Sequence, residues 1–160
     1  VPARAQRRAA RRAVSRGARH ATLVERDRDV LECLERNIQA LGVADRAAAV
    51  QADALSPAVF ARLVAPLTLV FVDPPYPLAE QSSGKRRILE QCARCRAHMA
   101  PKGWLVLRLP YVLDEAERSL PGFDGPEVRS FGDMHVHFYM PAQDAGAQPP
   151  ADAMGGTEAP

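Results

Sequence analysis

Leu67-Thr68-Leu69-Val70-Phe71-Val72-Asp73-Pro74-Pro75-Tyr76 decides how the rest of the chain is read. A run of apolar and β-branched residues stops at an acid, two prolines and an aromatic ring. Such a run, bounded by turn residues, predicts a strand buried on both faces, as in the middle of a parallel sheet. Proline carries no N–H and cannot continue the ladder, so the chain leaves the sheet at Asp73. A carboxylate, a stiff backbone with free carbonyls and a ring then stand at the strand's C-terminal edge. In open α/β sheets that edge is where ligands bind. Taken alone, the tetrapeptide also suits a plain proline turn with a surface tyrosine.

Toward the N-terminus, residues 3–16 are rich in Ala and Arg and compatible with a helix that Gly17 can end. Ala21-Thr22-Leu23-Val24 predicts a short strand stopping at Glu25. Asp27 caps a helix running to about Leu41, with Val30, Leu31, Leu34, Ile38 and Leu41 on one stripe and Gly42 beyond it. Ala47 to Gln51 is a weaker strand, followed by Asp53, and Ser56-Pro57 opens a short helix to about Val64. Toward the C-terminus, residues 77–84, with Ser82, Ser83 and Gly84, predict a mobile loop. A helix over 85–100 follows, with Ile88, Leu89, Cys92 and Met99 inward, then a strand over 103–109 and a short helix over 114–119. Strands over 127–131 and 134–140 are joined through Gly132-Asp133, a hairpin signal. The expected domain spans 1–141, and the aperiodic residues 142–160 are expected to form a disordered tail. Alternating strands and helices followed by two successive strands predict an α/β fold, its sheet mostly parallel and finishing in an antiparallel hairpin.

Parallel strands deliver their C-terminal ends to one edge. Glu25, Asp53 and Asp73 each follow such an end, so the topology predicts three carboxylates on one crest. A ligand with ribose hydroxyls and amino groups gives a reason for clustering like charges there. An acid after the second strand of a doubly wound nucleotide fold accepts from a ribose hydroxyl pair, which suits Glu25.

Ser15-Arg16-Gly17-Ala18, Leu23-Val24-Glu25-Arg26-Asp27, Asn37 with Leu41-Gly42, Gln51-Ala52-Asp53-Ala54-Leu55, Asp73-Pro74-Pro75-Tyr76 and Phe131-Gly132-Asp133 occur in one order and spacing. Together they resemble the bacterial small-subunit ribosomal RNA guanine-N2 methyltransferases of the RsmD type, over residues 12–140. The resemblance implies a Rossmann-like S-adenosylmethionine-dependent methyltransferase fold. It implies methyl transfer to the exocyclic N2 of a guanine in 16S ribosomal RNA, by in-line attack of the amine. Glu25, Arg26, Asp53 and Ala54 would bind the cofactor, with Glu25 on the ribose and Asp53 on the adenine amino group. Asp73, Pro74, Pro75 and Tyr76 would be catalytic. Asp73 and the Pro74 carbonyl would hold the amine, and Tyr76 would stack on a base taken out of its helix or loop. Ribosomal RNA or the small subunit is the partner so implied, and a monomer is expected.

The family opens its domain with a strand and a glycine-rich turn, and this sequence has Val1-Pro2-Ala3-Arg4-Ala5-Gln6-Arg7-Arg8 in that place. The strands at Leu23–Val24 and Leu67–Val72 are therefore expected to lack the family's first, central strand between them. Weak cofactor binding and reduced stability are the corresponding expectations for the chain as given.

At 160 residues, 47% apolar and 25% charged, the composition is that of one ordinary globular domain. No apolar run approaches a membrane span, and no apolar segment follows the basic N-terminus as in a signal peptide, so the cytoplasm is the expected compartment. Net charge is only +2, yet residues 1–24 hold Arg4, Arg7, Arg8, Arg11, Arg12, Arg16 and Arg19 and no acid, a block that suits a phosphate backbone or a solvated helix. Cys92 and Cys95 form a C-x-x-C pair without a second pair at zinc-site spacing, and are expected to be reduced helix cysteines. His135 and His137 alternate along the last strand and are expected to face solvent or a partner, with no metal. Trp104 is read as a packing residue. Two other functions share the motif: N6-adenine methylation, and a non-catalytic RNA-binding remnant. A dinucleotide-dependent oxidoreductase needs a glycine fingerprint and has no use for Asp-Pro-Pro-Tyr.

Overall fold

The computed structural model describes residues 12–143. Arg4, Arg7, Arg8 and Arg11, the first part of the helix expected over 3–16, and the tail from residue 144 lie outside the described residues.

Ten labelled elements follow a helical turn at residues 12–15: β1 (Ala21–Glu25), α1 (Arg28–Ala40), β2 (Ala47–Gln51), β3 (Leu67–Val72), α2 (Tyr76–Glu80), α3 (Ser82–Cys95), β4 (Met99–Leu109), α4 (Glu115–Arg118), β5 (Phe123–Phe131) and β6 (Met134–Pro141). A 3₁₀ segment, Pro57–Arg62, stands between β2 and β3. The strands form two sheets. In one, β1 pairs with β2 in parallel; in the other the order is β3-β4-β6-β5. There β3 and β4 are parallel, and β6 runs antiparallel to both β4 and β5. The architecture is the expected α/β one, a parallel region closing in an antiparallel hairpin. Among the described residues, β1 and β3 are each hydrogen-bonded to a single strand.

Each sheet has its own core. Asp27 caps α1 by accepting from the Val30 amide, and Leu34 and Ile38 pack with Leu23, Ala47 and Val14. Leu41 stays exposed, so the buried stripe stops one turn before the sequence pattern suggests. The larger core lies between α3 and the four-stranded sheet, where Ile88, Cys92 and Cys95 meet Leu105, Leu107 and Tyr139. Gln91 ties the two halves. It is buried in α3, and its side-chain amide donates to the Ala54 and Ser56 carbonyls after β2, at 2.9 and 3.2 Å.

Several expectations change. β3 is not buried on both faces: Val70 and Val72 pack on the larger core, but Leu69 and Phe71 are 48% and 64% exposed. Helix α3 packs on the face that carries Val70 and Val72, and among the described residues β3 is paired on its β4 side only. The stretch 77–84 is helical on both sides of a bend at Gln81. The Pro75 carbonyl accepts from Leu78 and Ala79, starting α2, where Pro77 sits in the first turn and needs no N–H. Ala79 is fully buried. Gly84 lies inside α3 rather than in a loop, and a Cβ there would collide with the Leu78 carbonyl oxygen, so the position requires glycine. β4 begins at Met99, and β5 begins at Phe123, ahead of the expected 127; Pro126 sits in a bulge between Asp124 and Glu127 and reads in sequence as a strand breaker. Ala142 still belongs to the folded body, its N–H donating to the Gly122 carbonyl and its carbonyl accepting from Arg96.

His137 is the largest departure. It faces inward from β6 and is fully buried, not solvent-facing. Its Nε2 accepts from the Leu113 amide at 3.2 Å, so the neutral ring carries its proton on Nδ1. Burial holds its pKa below the ordinary histidine value.

Gly84→Ala forces the α2–α3 contact apart and should cost about 1–3 kcal/mol, read as a lower urea midpoint with unchanged slope. For His137, the unfolded chain takes up a proton below about pH 6.5 that the folded chain does not. Stability should therefore fall as pH drops from 7 to 5, by at most about 1.4 kcal/mol per pH unit from this group. Urea titrations should show a shallower fall over that range for His137→Gln than for the parent.

Candidate functional site at the strand crest

Asp73 follows the last residue of β3, and the two prolines turn the chain away so that Tyr76 opens α2. Val72 pairs with Leu107 in the parallel ladder, which sets Asp73 beside Arg108 of β4. The Arg108 guanidinium reaches both Asp73 oxygens through one nitrogen, at 3.3 and 3.1 Å. Its other terminal nitrogen donates to the Tyr76 hydroxyl at 3.3 Å, and its central carbon lies 6.0 Å from the centre of the Tyr76 ring. The side chains of Asp73 and Arg108 are 34% and 39% exposed, so the group is reachable from solvent. Pro75 gives its carbonyl to α2, which leaves the Pro74 carbonyl outside that helix's hydrogen bonding.

The acids after the other two strands have different partners. One Glu25 oxygen accepts from the Arg26 and Asp27 amides at 2.8 and 2.9 Å, so the carboxylate folds over the entrance to α1. Arg26 contributes this amide while its side chain is exposed. Glu25 lies opposite Gln51 in the β1–β2 register, and its carbonyl accepts from Ala52, which brings the approach to Asp53 alongside. Asp53 accepts from the Leu55 amide at 2.9 Å and faces Arg87 of α3 at 3.5 Å. Ala54 turns its carbonyl inward to Gln91. The structure thus joins Asp73 to Tyr76 through Arg108, sets Glu25 and the Asp53 loop on adjacent parallel strands, and ties Asp53 to the early turns of α3.

Arg108 and Arg87 were not among the residues picked from the sequence. Arginine is common throughout this chain, and nothing local separates these two from their neighbours. The register Val72↔Leu107 singles out Arg108 once the strands are paired.

The first turn of α3 is held at the same end of the sheet. Lys85 pairs with Glu117 of α4 at 2.5 Å and stands 5.7 Å from the centre of the Tyr111 ring. The Tyr111 hydroxyl donates to the Ala79 carbonyl at 2.5 Å. The hydrogen bond to Glu117 raises the Lys85 pKa, and burial raises that of Tyr111.

A family model described as Conserved hypothetical protein 95 matches residues 10–140. The chain belongs to that family. No curated protein matches it. The Conserved hypothetical protein 95 fold described here is shared with a conserved hypothetical protein from Streptococcus pyogenes, at a TM-score of 0.64 and 23% identity, covering 81% of this chain and 76% of that one. It is shared with the yhhF protein of Escherichia coli, named as a methyltransferase, at a TM-score of 0.62 and 22% identity over 81% of this chain. TrmN from Thermus thermophilus superposes with a TM-score of 0.63 at 20% identity over 84% of this chain. This chain spans 66% of the yhhF chain and 40% of TrmN. The fold of this family member is therefore the Rossmann-like fold of methyltransferases.

The C-x-x-C pair belongs to the core, not to a site. Cys92 and Cys95 are both buried, and burial raises both thiols, Cys95 to about 11. Cys33, on α1, is only half-buried. Iodoacetamide at pH 8 should therefore alkylate Cys33 alone in the folded protein and all three cysteines in urea, as read by peptide mass spectrometry.

Proposed function

We propose that this protein is an S-adenosylmethionine-dependent methyltransferase acting on the exocyclic N2 of a guanine in small-subunit ribosomal RNA. The observation that carries the reading is the Asp73–Tyr76 crest, an acid and a ring held side by side at the end of a parallel strand. A carboxylate has about four acceptor sites, and Arg108 takes only part of them, so Asp73 can accept from an amino group as well. The Pro74 carbonyl, outside the α2 hydrogen bonds, offers the second acceptor. Tyr76 is 38% exposed and offers a ring on which a base can stack.

The donor set fits the nucleoside half of the cofactor. Glu25 at the end of β1 and Asp53 in the loop just past the neighbouring parallel strand β2 are carboxylates suited to ribose hydroxyls and to an adenine amino group. Asp53 keeps acceptor capacity, since its contact to Arg87 is 3.5 Å long. The family's glycine-rich turn for the methionine end has no counterpart in the sequence of residues 12–143. Bound, the cofactor supplies a methyl group on a sulfonium sulfur, already activated. What the protein's own residues add is placement of the amine. Exposed Arg12, Arg16 and Arg19 suit a polyanionic substrate.

The test is incubation with small ribosomal subunits or 16S RNA and labelled S-adenosylmethionine, followed by mass spectrometry of the nucleosides. N2-methylguanosine is expected. Asp73→Ala should lower turnover by about 100-fold or more, with RNA binding little changed. N6-methyladenosine as the product, or salt-dependent RNA binding without any transfer, would overturn the assignment.

A further inference from the structure

Arg108 sits where the two motif side chains meet, and its contacts are of an unusual kind for an exposed ion pair. One nitrogen spans both oxygens of Asp73, the other holds the Tyr76 hydroxyl, and the guanidinium plane stands beside the ring. Its Nε is buried and has no hydrogen-bond partner. The hydrogen bonds that hold the side chain are therefore those of its two terminal nitrogens. A lysine could not reproduce this, because an ammonium is a point charge without a planar fork.

Between Asp73 and Tyr76 the backbone already has little freedom, since both intervening residues are prolines with fixed φ. The side chains keep rotation of the carboxylate about Cα–Cβ and Cβ–Cγ and swinging of the phenol ring. Both motions break an Arg108 contact. We infer that Arg108 is a positioning residue that sets the carboxylate plane of Asp73 and the ring of Tyr76 before a base arrives. The role rests on the proposed function, in which those two groups receive the amine and the base. The competing role for the same cation is direct contact with an RNA phosphate, and the two roles have different signatures.

Two measurements test the inference. The first needs no activity. In protein carrying ¹⁵N-labelled arginine, slowed rotation of the guanidinium should give separate Nη proton signals for Arg108, and Asp73→Asn should merge them. Freely rotating Arg108 signals in the parent would overturn the clamp. The second uses methyl transfer at saturating RNA. Arg108→Gln and Arg108→Lys should each lower kcat by about tenfold or more, with KM for RNA within about twofold. The dependence of RNA affinity on salt should keep its slope. An unchanged kcat, with the salt slope reduced by about one, would overturn positioning in favour of a phosphate contact. Equal melting temperatures for the parent and Arg108→Lys separate these effects from misfolding. If the parent transfers no methyl group to any RNA, the proposed function fails, and the clamp still stands or falls on the guanidinium signals.

Discussion

A proline has no backbone N–H to give, and two of them directly follow Asp73. That single deficit ends β3, sends the chain out of the sheet, and makes the next hydrogen-bonding residue the first of α2. The Pro75 carbonyl then starts that helix, Ala79 is driven into the core, and Gly84 lets α3 approach the Leu78 carbonyl. Helix α3 in turn buries Ile88, Cys92 and Cys95 against the sheet and sends Gln91 across to the loop after β2. The larger core and the link to the smaller sheet both follow from where β3 is forced to stop.

Three acids stand at or just past the ends of β1, β2 and β3. The chain gives each a different partner: backbone amides for Glu25, Arg87 for Asp53, Arg108 for Asp73. These pairs are half-exposed, and exposed ion pairs contribute little to stability. Their effect is on orientation. One Arg108 nitrogen spans both Asp73 oxygens while the other holds Tyr76, so the two motif side chains share one anchor, and the acids remain able to accept further hydrogen bonds.

Local signals read well where the chain decides its own conformation. The Asp27 cap, the Leu31–Leu34–Ile38 stripe and the Gly42 stop predict α1 within a residue or two, and the apolar runs locate β3 and most of β4. Misreadings occur where a distant neighbour decides. Ser82-Ser83-Gly84 has loop composition, yet the close approach of Leu78 requires glycine within a helix. Pro126 looks like a strand end, yet a bulge carries it inside β5. His137 looks like a surface histidine on an alternating strand, yet a backbone amide from the segment after β4 covers its ring. Leu69 and Phe71 look like core residues, yet the helices that cover this sheet lie on its other face.

The order of strands and helices, the point at which β3 ends and the placing of acids at or just past three strand ends are all encoded locally, because caps, prolines and apolar periodicity act over a few residues. The sequence also carries the family motifs that make the candidate site recognisable. Which cation meets which acid, which histidine is buried and which face of β3 stays open depend on how distant elements pack. Arg108 and Asp73 are 35 residues apart and become neighbours only through the register of two parallel strands. That register is set by the packing of whole elements, and no short stretch of chain encodes it.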